Sequence, residues 1–154
     1  LVKKSPMEII LQKAAELGVS KITPIISERT EVKELNFERA NKIAVEATQQ
    51  SNQLNPPVIE QVTKLKDFIS NIKQNTKLFF ADVNSDYRLK SEDAEKNKLI
   101  SVLIGPEGDF SPQEHKLILT SPNLTRFSLS KNILRTDTAV ISAISLVNFI
   151  HRDH

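Results

Sequence analysis

LISVLIGPEGDFS, residues 99–111, is the stretch whose reading decides the fold. An apolar run from Ile100 to Ile104, interrupted only by Ser101, stops abruptly at Gly105-Pro106-Glu107-Gly108. A helix start follows at once: Ser111 suits the N-cap, Pro112 the first helical position, and Glu114 completes a capping box. A buried strand therefore delivers its C-terminal end into a glycine turn that feeds a helix. In open α/β sheets that is where ligands bind. Two of the three glycines sit in this turn, where glycine lets backbone approach a ligand closely and adopt positive φ.

A second stretch of the same kind lies downstream. Leu124 to Leu129 reads as a strand, and Leu129 to Ala139, LSKNILRTDTA, leads into a long apolar helix from Thr136 to Ile150. That helix carries no charge between Ala139 and Phe149 and reads as a buried or interface helix. In the loop, Ile133 and Leu134 precede Arg135, Thr136, Asp137 and Thr138. An apolar pair beside an arginine and hydroxyls suits a flat, partly apolar ligand with a charged group. The same pair would equally serve to plug the core.

Upstream, Leu78 to Val83 reads as a strand, followed by a charged surface loop with one helical turn, Asn84 to Lys98, whose Lys90–Lys98 part is a solvated charge run. Ser5-Pro6-Met7-Glu8 repeats the capping-box pattern and opens a helix with Ile10, Ala14 and Leu17 on one face, ended by Gly18. Ile22 to Ile26 is the expected first core strand and 27–36 a polar loop. Phe37 to Ser51 has helical spacing, Val58 to Val62 reads as a short strand, and Leu65 to Ile72 as a helix. Strand and helix alternate, so the expected fold is an α/β domain with a mostly parallel sheet flanked by helices.

Composition bounds the function. The 154 residues suffice for one domain with a real core. Net charge is +2, which permits a nucleic-acid partner without demanding one. Cysteine is absent, which removes disulfides and thiolate chemistry and fits a cytoplasmic protein. No apolar run approaches the ~20 residues that span a bilayer. His115, His151 and His154 show no spacing for a metal or a triad, so neither metal nor membrane is expected.

Taken together, Ile104-Gly105-Pro106-Glu107-Gly108 with Phe110-Ser111 and Glu114, then Ile133 through Ala139, resemble the RsmE family. Gln12-Lys13, Glu16-Leu17-Gly18-Val19, Glu28-Arg29, Glu46-Ala47 and Gln50-Ser51 extend the resemblance over nearly the whole chain. The family belongs to the SPOUT class of methyltransferases. The resemblance implies a C-terminal trefoil knot, a homodimer, and S-adenosylmethionine-dependent methylation of ring nitrogen 3 of a uridine in 16S ribosomal RNA of the small subunit. It implies that 1–154 is the SPOUT methyltransferase domain, without the family's N-terminal PUA-like RNA-binding domain. Cofactor contacts fall on Phe80, Ala81, Leu103, Ile104, Gly105, Pro106, Gly108, Leu129, Ser130, Ile133, Leu134, Thr136, Thr138 and Ala139, and RNA contacts on Arg29 and Gln50. Arg135 and Glu107 are the expected catalytic residues. Arginine cannot act as a base at ordinary pH, but its planar fork can bind carbonyl oxygens; Glu107 or Asp137 could accept the imide proton or hold the arginine. Four positions depart from the family pattern: Asp109 and Ser130 replace glycines, and Gln53 and Asn132 replace arginines. The alternatives are a non-catalytic RNA- or nucleotide-binding α/β domain, or a SPOUT methyltransferase with another RNA target.

Overall fold

One strand, apolar on both faces, sets the layers. The computed structural model describes residues 1–96 and 98–152; His154 lies outside them. In chain order the elements are α1 (Lys4–Glu16), β1 (Lys21–Ile22), β2 (Ile25–Ile26), α2 (Phe37–Gln50), β3 (Val58–Ile59), β4 (Thr63–Lys64), α3 (Leu65–Asn71), β5 (Thr76–Ala81), a 3-10 turn (Ser91–Asp93), β6 (Leu99–Ile104), α4 (Pro112–Leu119), β7 (Leu124–Phe127) and α5 (Thr136–Arg152). Strands and helices alternate as the sequence implies, and the strand pairings among the described residues are parallel.

β5 lies between β6 and β7, and Leu78, Phe79 and Phe80 are completely buried in it. Successive side chains of a strand point to opposite faces. Leu78 and Phe80 accordingly pack with Leu65, Ile69 and Ile118 from α3 and α4. Phe79 joins Phe127 and the α5 residues Ala143, Val147 and Ile150 on the other face. Burial on both faces is why a central parallel strand reads as a continuous apolar run. α1 packs on α2 over a stripe of small residues, Ala40, Ala44 and Ala47. α5 also touches α1, where Asn148 Nδ2 donates to Leu17 O at 2.9 Å.

Two local expectations change. Ile22 to Ile26 is not one strand: Thr23-Pro24 separates β1 from β2, and the facing strand splits likewise into β3 and β4. The register slips by one residue between Ile22↔Ile59 and Ile25↔Thr63, a bulge whose extra residue lies in 60–62, opposite Thr23-Pro24. Pro24 has no N–H to give the ladder, but its carbonyl accepts from Thr63 N at 2.9 Å, so the ribbon continues.

The two capping-box patterns also part ways. At α4, Ser111 Oγ accepts from Glu114 N at 3.2 Å and Glu114 Oε2 from Ser111 N at 2.9 Å. At α1 the N-cap is Lys3, with no side-chain bond, and Ser5 lies inside the first turn. Glu8 turns to α2 instead and accepts from Arg39 Nε at 3.0 Å; that bond holds its carboxyl below the usual carboxylate range. Ser111→Ala should therefore cost about 1 kcal/mol, and Ser5→Ala should stay within about 0.5 kcal/mol of the parent. Urea denaturation of the two variants checks the contrast.

Candidate functional site

Parallel pairing brings three strand ends to one edge. Ala81 is the register partner of both Ile104 and Phe127, so the segments that follow β5, β6 and β7 leave the sheet side by side. Ligands of open α/β sheets bind along this edge. The segments are tied to one another. Asp82 N donates to Phe127 O at 2.9 Å, and Ser128 N to Tyr87 O at 2.8 Å. Thr136 Oγ1, at the start of α5, donates to Gly105 O at 3.4 Å. Both sequence motifs thus meet in one place.

In the first loop, Asp109 N donates to Pro106 O at 2.9 Å and closes a tight turn. The two glycines do not carry the positive φ expected of them; Asp109 does, at 60°. Asp is one of the few non-glycine residues that visit this region routinely, because its short side chain bonds locally. Asp109 Oδ1 accepts from Phe110 N at 2.7 Å, and Oδ2 lies 3.1 Å from His115 Nε2. The imidazole in turn packs against the rings of Phe80 and Phe110, with centroids 5.6 and 6.2 Å apart. Gly105 sits close to the core: a Cβ there would lie 3.2 Å from the Phe110 ring, which would have to shift slightly to admit it.

A segment almost eighty residues upstream braces this loop. Glu114 Oε1 accepts from Glu28 N at 2.8 Å, and Arg29 Nη1 donates to Gly108 O at 3.0 Å. Sequence reasoning did not find these links, because no spacing rule joins residues so far apart. It placed Phe80 to Asp82 at the neighbouring strand end but did not find what the Asp82 side chain holds. That fully buried carboxylate accepts from Asn84 N at 2.9 Å and from Arg126 at 2.7 Å, which fixes the turn after β5. Tyr87 in the same segment donates its hydroxyl to Asp93, a bond that raises its pKa.

In the second loop, Ile133 is 86% exposed, so it does not plug the core; Leu134 is half-buried. Arg135 is largely exposed, with Nε 3.9 Å from Asp137 Oδ1. That oxygen is buried and has no hydrogen-bond partner among the described residues. Ser130 Oγ accepts from Asn132 N at 3.1 Å. Thr136 is buried, Thr138 exposed and Ala139 half-buried.

The other expected residues divide clearly. The Phe80 and Leu103 side chains belong to the core beneath α3 and α4, and Ala81, Ile104 and Leu129 pack on the α5 side. These strand ends offer backbone rather than side chains. Gly105, Pro106, Glu107 and Gly108 share the first loop, with Glu107 exposed. Arg29 joins them through Gly108. Gln50 does not: it lines a groove of about 430 Å³ between α1 and α2 with Glu8, Gln12, Arg39 and Glu46.

Asp109 supplies a test of the loop. Asp109→Ala should cost about 1 kcal/mol through the left-handed backbone alone, whereas Asp109→Gly should recover that part. Thermal melts of the pair read the difference directly.

The model of a family described as the RNA methyltransferase domain matches residues 1–148. The ribosomal RNA small subunit methyltransferase E of Rickettsia conorii is 34% identical over 97% of this chain and 62% of its own length. That of Aquifex aeolicus is 37% identical over 93% of this chain and 63% of its own length. Among solved structures, the Neisseria gonorrhoeae ribosomal RNA small subunit methyltransferase E bound to S-adenosylmethionine aligns with a TM-score of 0.88 at 28% identity, over 97% of this chain and 63% of that one. A Legionella pneumophila protein described as a methyltransferase in complex with the same cofactor aligns with a TM-score of 0.82 at 31% identity, covering 97% and 63%. The chain thus spans about three-fifths of the length of these relatives.

Proposed function

The chain belongs to the RNA methyltransferase domain family, and from that premise we propose that it methylates ring nitrogen 3 of a uridine in 16S ribosomal RNA, with S-adenosylmethionine as donor. The observation that carries this reading is the convergence of the Gly105–Gly108 and Leu129–Ala139 segments at one sheet edge, joined by the Thr136–Gly105 hydrogen bond. The relatives described as binding S-adenosylmethionine support the choice of cofactor.

The residues fit that group. Backbone donors and acceptors of 103–108 and 129–139 read the adenine and methionine parts without charged side chains. The uncovered Ile133 supplies an apolar wall. The Asp137 oxygen that makes no hydrogen bond among the described residues offers an acceptor for an N–H or a cation.

When bound, the cofactor supplies an electrophilic methyl on a sulfonium. Transfer breaks the sulfur–carbon bond, forms a nitrogen–carbon bond at N3, and requires the N3 proton to leave. The chain holds the two reactants in line. Arg135 donates to the uracil carbonyls, where negative charge gathers as the proton departs. A carboxylate takes the proton: Asp137, beside Arg135, or Glu107 on the facing loop.

The finer architecture follows the same family logic. Residues 1–154 form a SPOUT domain, with α5 threaded behind a loop as a trefoil knot. The chain pairs with a second copy and acts in the cytoplasm. No helix among the described residues is long and apolar enough to cross a membrane. Ala143, Ile144, Val147 and Ile150 of α5 are covered by the chain itself, so Phe149, 67% exposed, is the large apolar side chain left for a partner.

Two measurements test the reading. Calorimetry should detect S-adenosylmethionine binding; a folded sample that binds neither it nor its demethylated product rules the cofactor out. Arg135→Ala should keep cofactor affinity within a few-fold and lose about a hundredfold in methyl incorporation into small subunits. Arg135→Lys should recover little, because a point charge does not reproduce the planar fork. Near-parent methylation by Arg135→Ala would make the residue structural. Separately, sedimentation at micromolar concentration should give a dimer, and Phe149→Asp should shift it toward monomer.

A further inference from the structure

The reaction above assigns no task to the 27–30 turn, yet it is built more firmly than an exposed connection needs. Ser27 and Thr30 are 7% and 5% exposed. Thr30 N donates to Ser27 O at 3.2 Å, Ser27 N donates to Thr30 Oγ1 at 2.9 Å, and the two hydroxyls lie 2.8 Å apart. Glu28 N, between them, donates to Glu114. The same carboxylate caps α4 through Ser111 N. The turn is therefore a fixed platform, locked to the helix that follows the glycine loop.

Arg29 stands on that platform. Its Nη1 donates to Gly108 O at 3.0 Å, and its Cβ and Cδ lie 3.8 and 3.9 Å from where a Gly108 Cβ would sit. The side chain runs along the loop backbone and grips its tip. Among the described residues, the tip at Glu107 and Gly108 is held by no other side-chain hydrogen bond. The nearest restraints are the turn from Asp109 N to Pro106 O and the long Thr136–Gly105 bond.

We propose that Arg29 is the positioning residue of the cofactor loop: by holding the Gly108 carbonyl it keeps 105–110 in the shape that receives S-adenosylmethionine. The inference rests on the cofactor reading above and adds to it a determinant of affinity outside both motifs. A loop ordered before binding costs less to order on binding. The Gly108 carbonyl engages one N–H of a guanidinium that has five. Holding the loop therefore leaves donors over, and holding the loop and meeting RNA phosphate are separable tasks of one side chain. Lysine can supply the single donor that the carbonyl needs, but not the fork.

The experiment compares the parent chain with Arg29→Ala and Arg29→Lys by three readouts. These are melting temperature, amide hydrogen exchange at Asp109 and Phe110 without ligand, and calorimetric titration with S-adenosylmethionine. Arg29 is exposed, so Arg29→Ala should stay folded and melt about 2–4 °C below the parent, the shift that one net hydrogen bond gives a chain of this size. Its Asp109 and Phe110 amides should exchange roughly fivefold faster and its cofactor affinity fall by about the same factor, the scale of one net hydrogen bond. Arg29→Lys should stay within about twofold of the parent in both. Unchanged exchange in Arg29→Ala overturns the proposal, as does faster exchange with unchanged affinity. Faster exchange in Arg29→Ala, in a parent chain that binds no S-adenosylmethionine, sinks the cofactor reading and upholds Arg29 as the residue that positions the loop.

Discussion

Everything at the edge where the two loop motifs meet depends on β5 pairing in matched register with both of its neighbours. Ala81 faces Ile104 on one side and Phe127 on the other. Three strand ends finish flush, and their loops come within hydrogen-bond reach of one another. The register is enforced by burial: Leu78 and Phe80 belong under α3 and α4, Phe79 under α5. A slip of one residue would exchange the two faces, drive Phe79 into the wrong layer and separate Thr136 from Gly105.

The strand–turn–helix unit around 99–119 was legible because each of its signals is local. An apolar run, a glycine turn, a capping serine, a first-turn proline and a glutamate three residues on all concern neighbours in sequence. The α/β class followed from the alternation of such units, and the family from the pairing of two loop motifs. Features that depend on distant partners were not legible. Ser5-Pro6-Met7-Glu8 matches Ser111-Pro112-Gln113-Glu114 in pattern, but Arg39 on the neighbouring helix takes Glu8. The break at Thr23-Pro24 matches a bulge in the facing segment 60–62, far away in sequence. The brace from Glu28 and Arg29 to the glycine loop left no mark in either segment.

The departures from the family pattern are absorbed by local bonds rather than left as defects. Asp109 holds a left-handed backbone conformation that glycine also tolerates and makes two acceptor contacts. Ser130 receives the Asn132 amide and tightens its own turn. Gln53, where an arginine is usual, donates to Glu16 O at 3.3 Å and rests against Gly18, closing the end of α1.

The place of α5 has a consequence for how this chain comes to be folded. It is made after the other described elements, yet it packs on Phe79 and Phe127 and touches α1, across a hydrogen bond that spans 131 positions. Until its residues leave the ribosome, Phe79 and Phe127 lack the cover of α5 and one flank of α1 stays open. The earlier segments can collapse but cannot close. Contacts of such long sequence separation form slowly, and uncovered apolar faces on a waiting nascent chain favour aggregation. The sheet edge that gathers the two motifs is therefore complete only once α5 has docked and Thr136 meets Gly105.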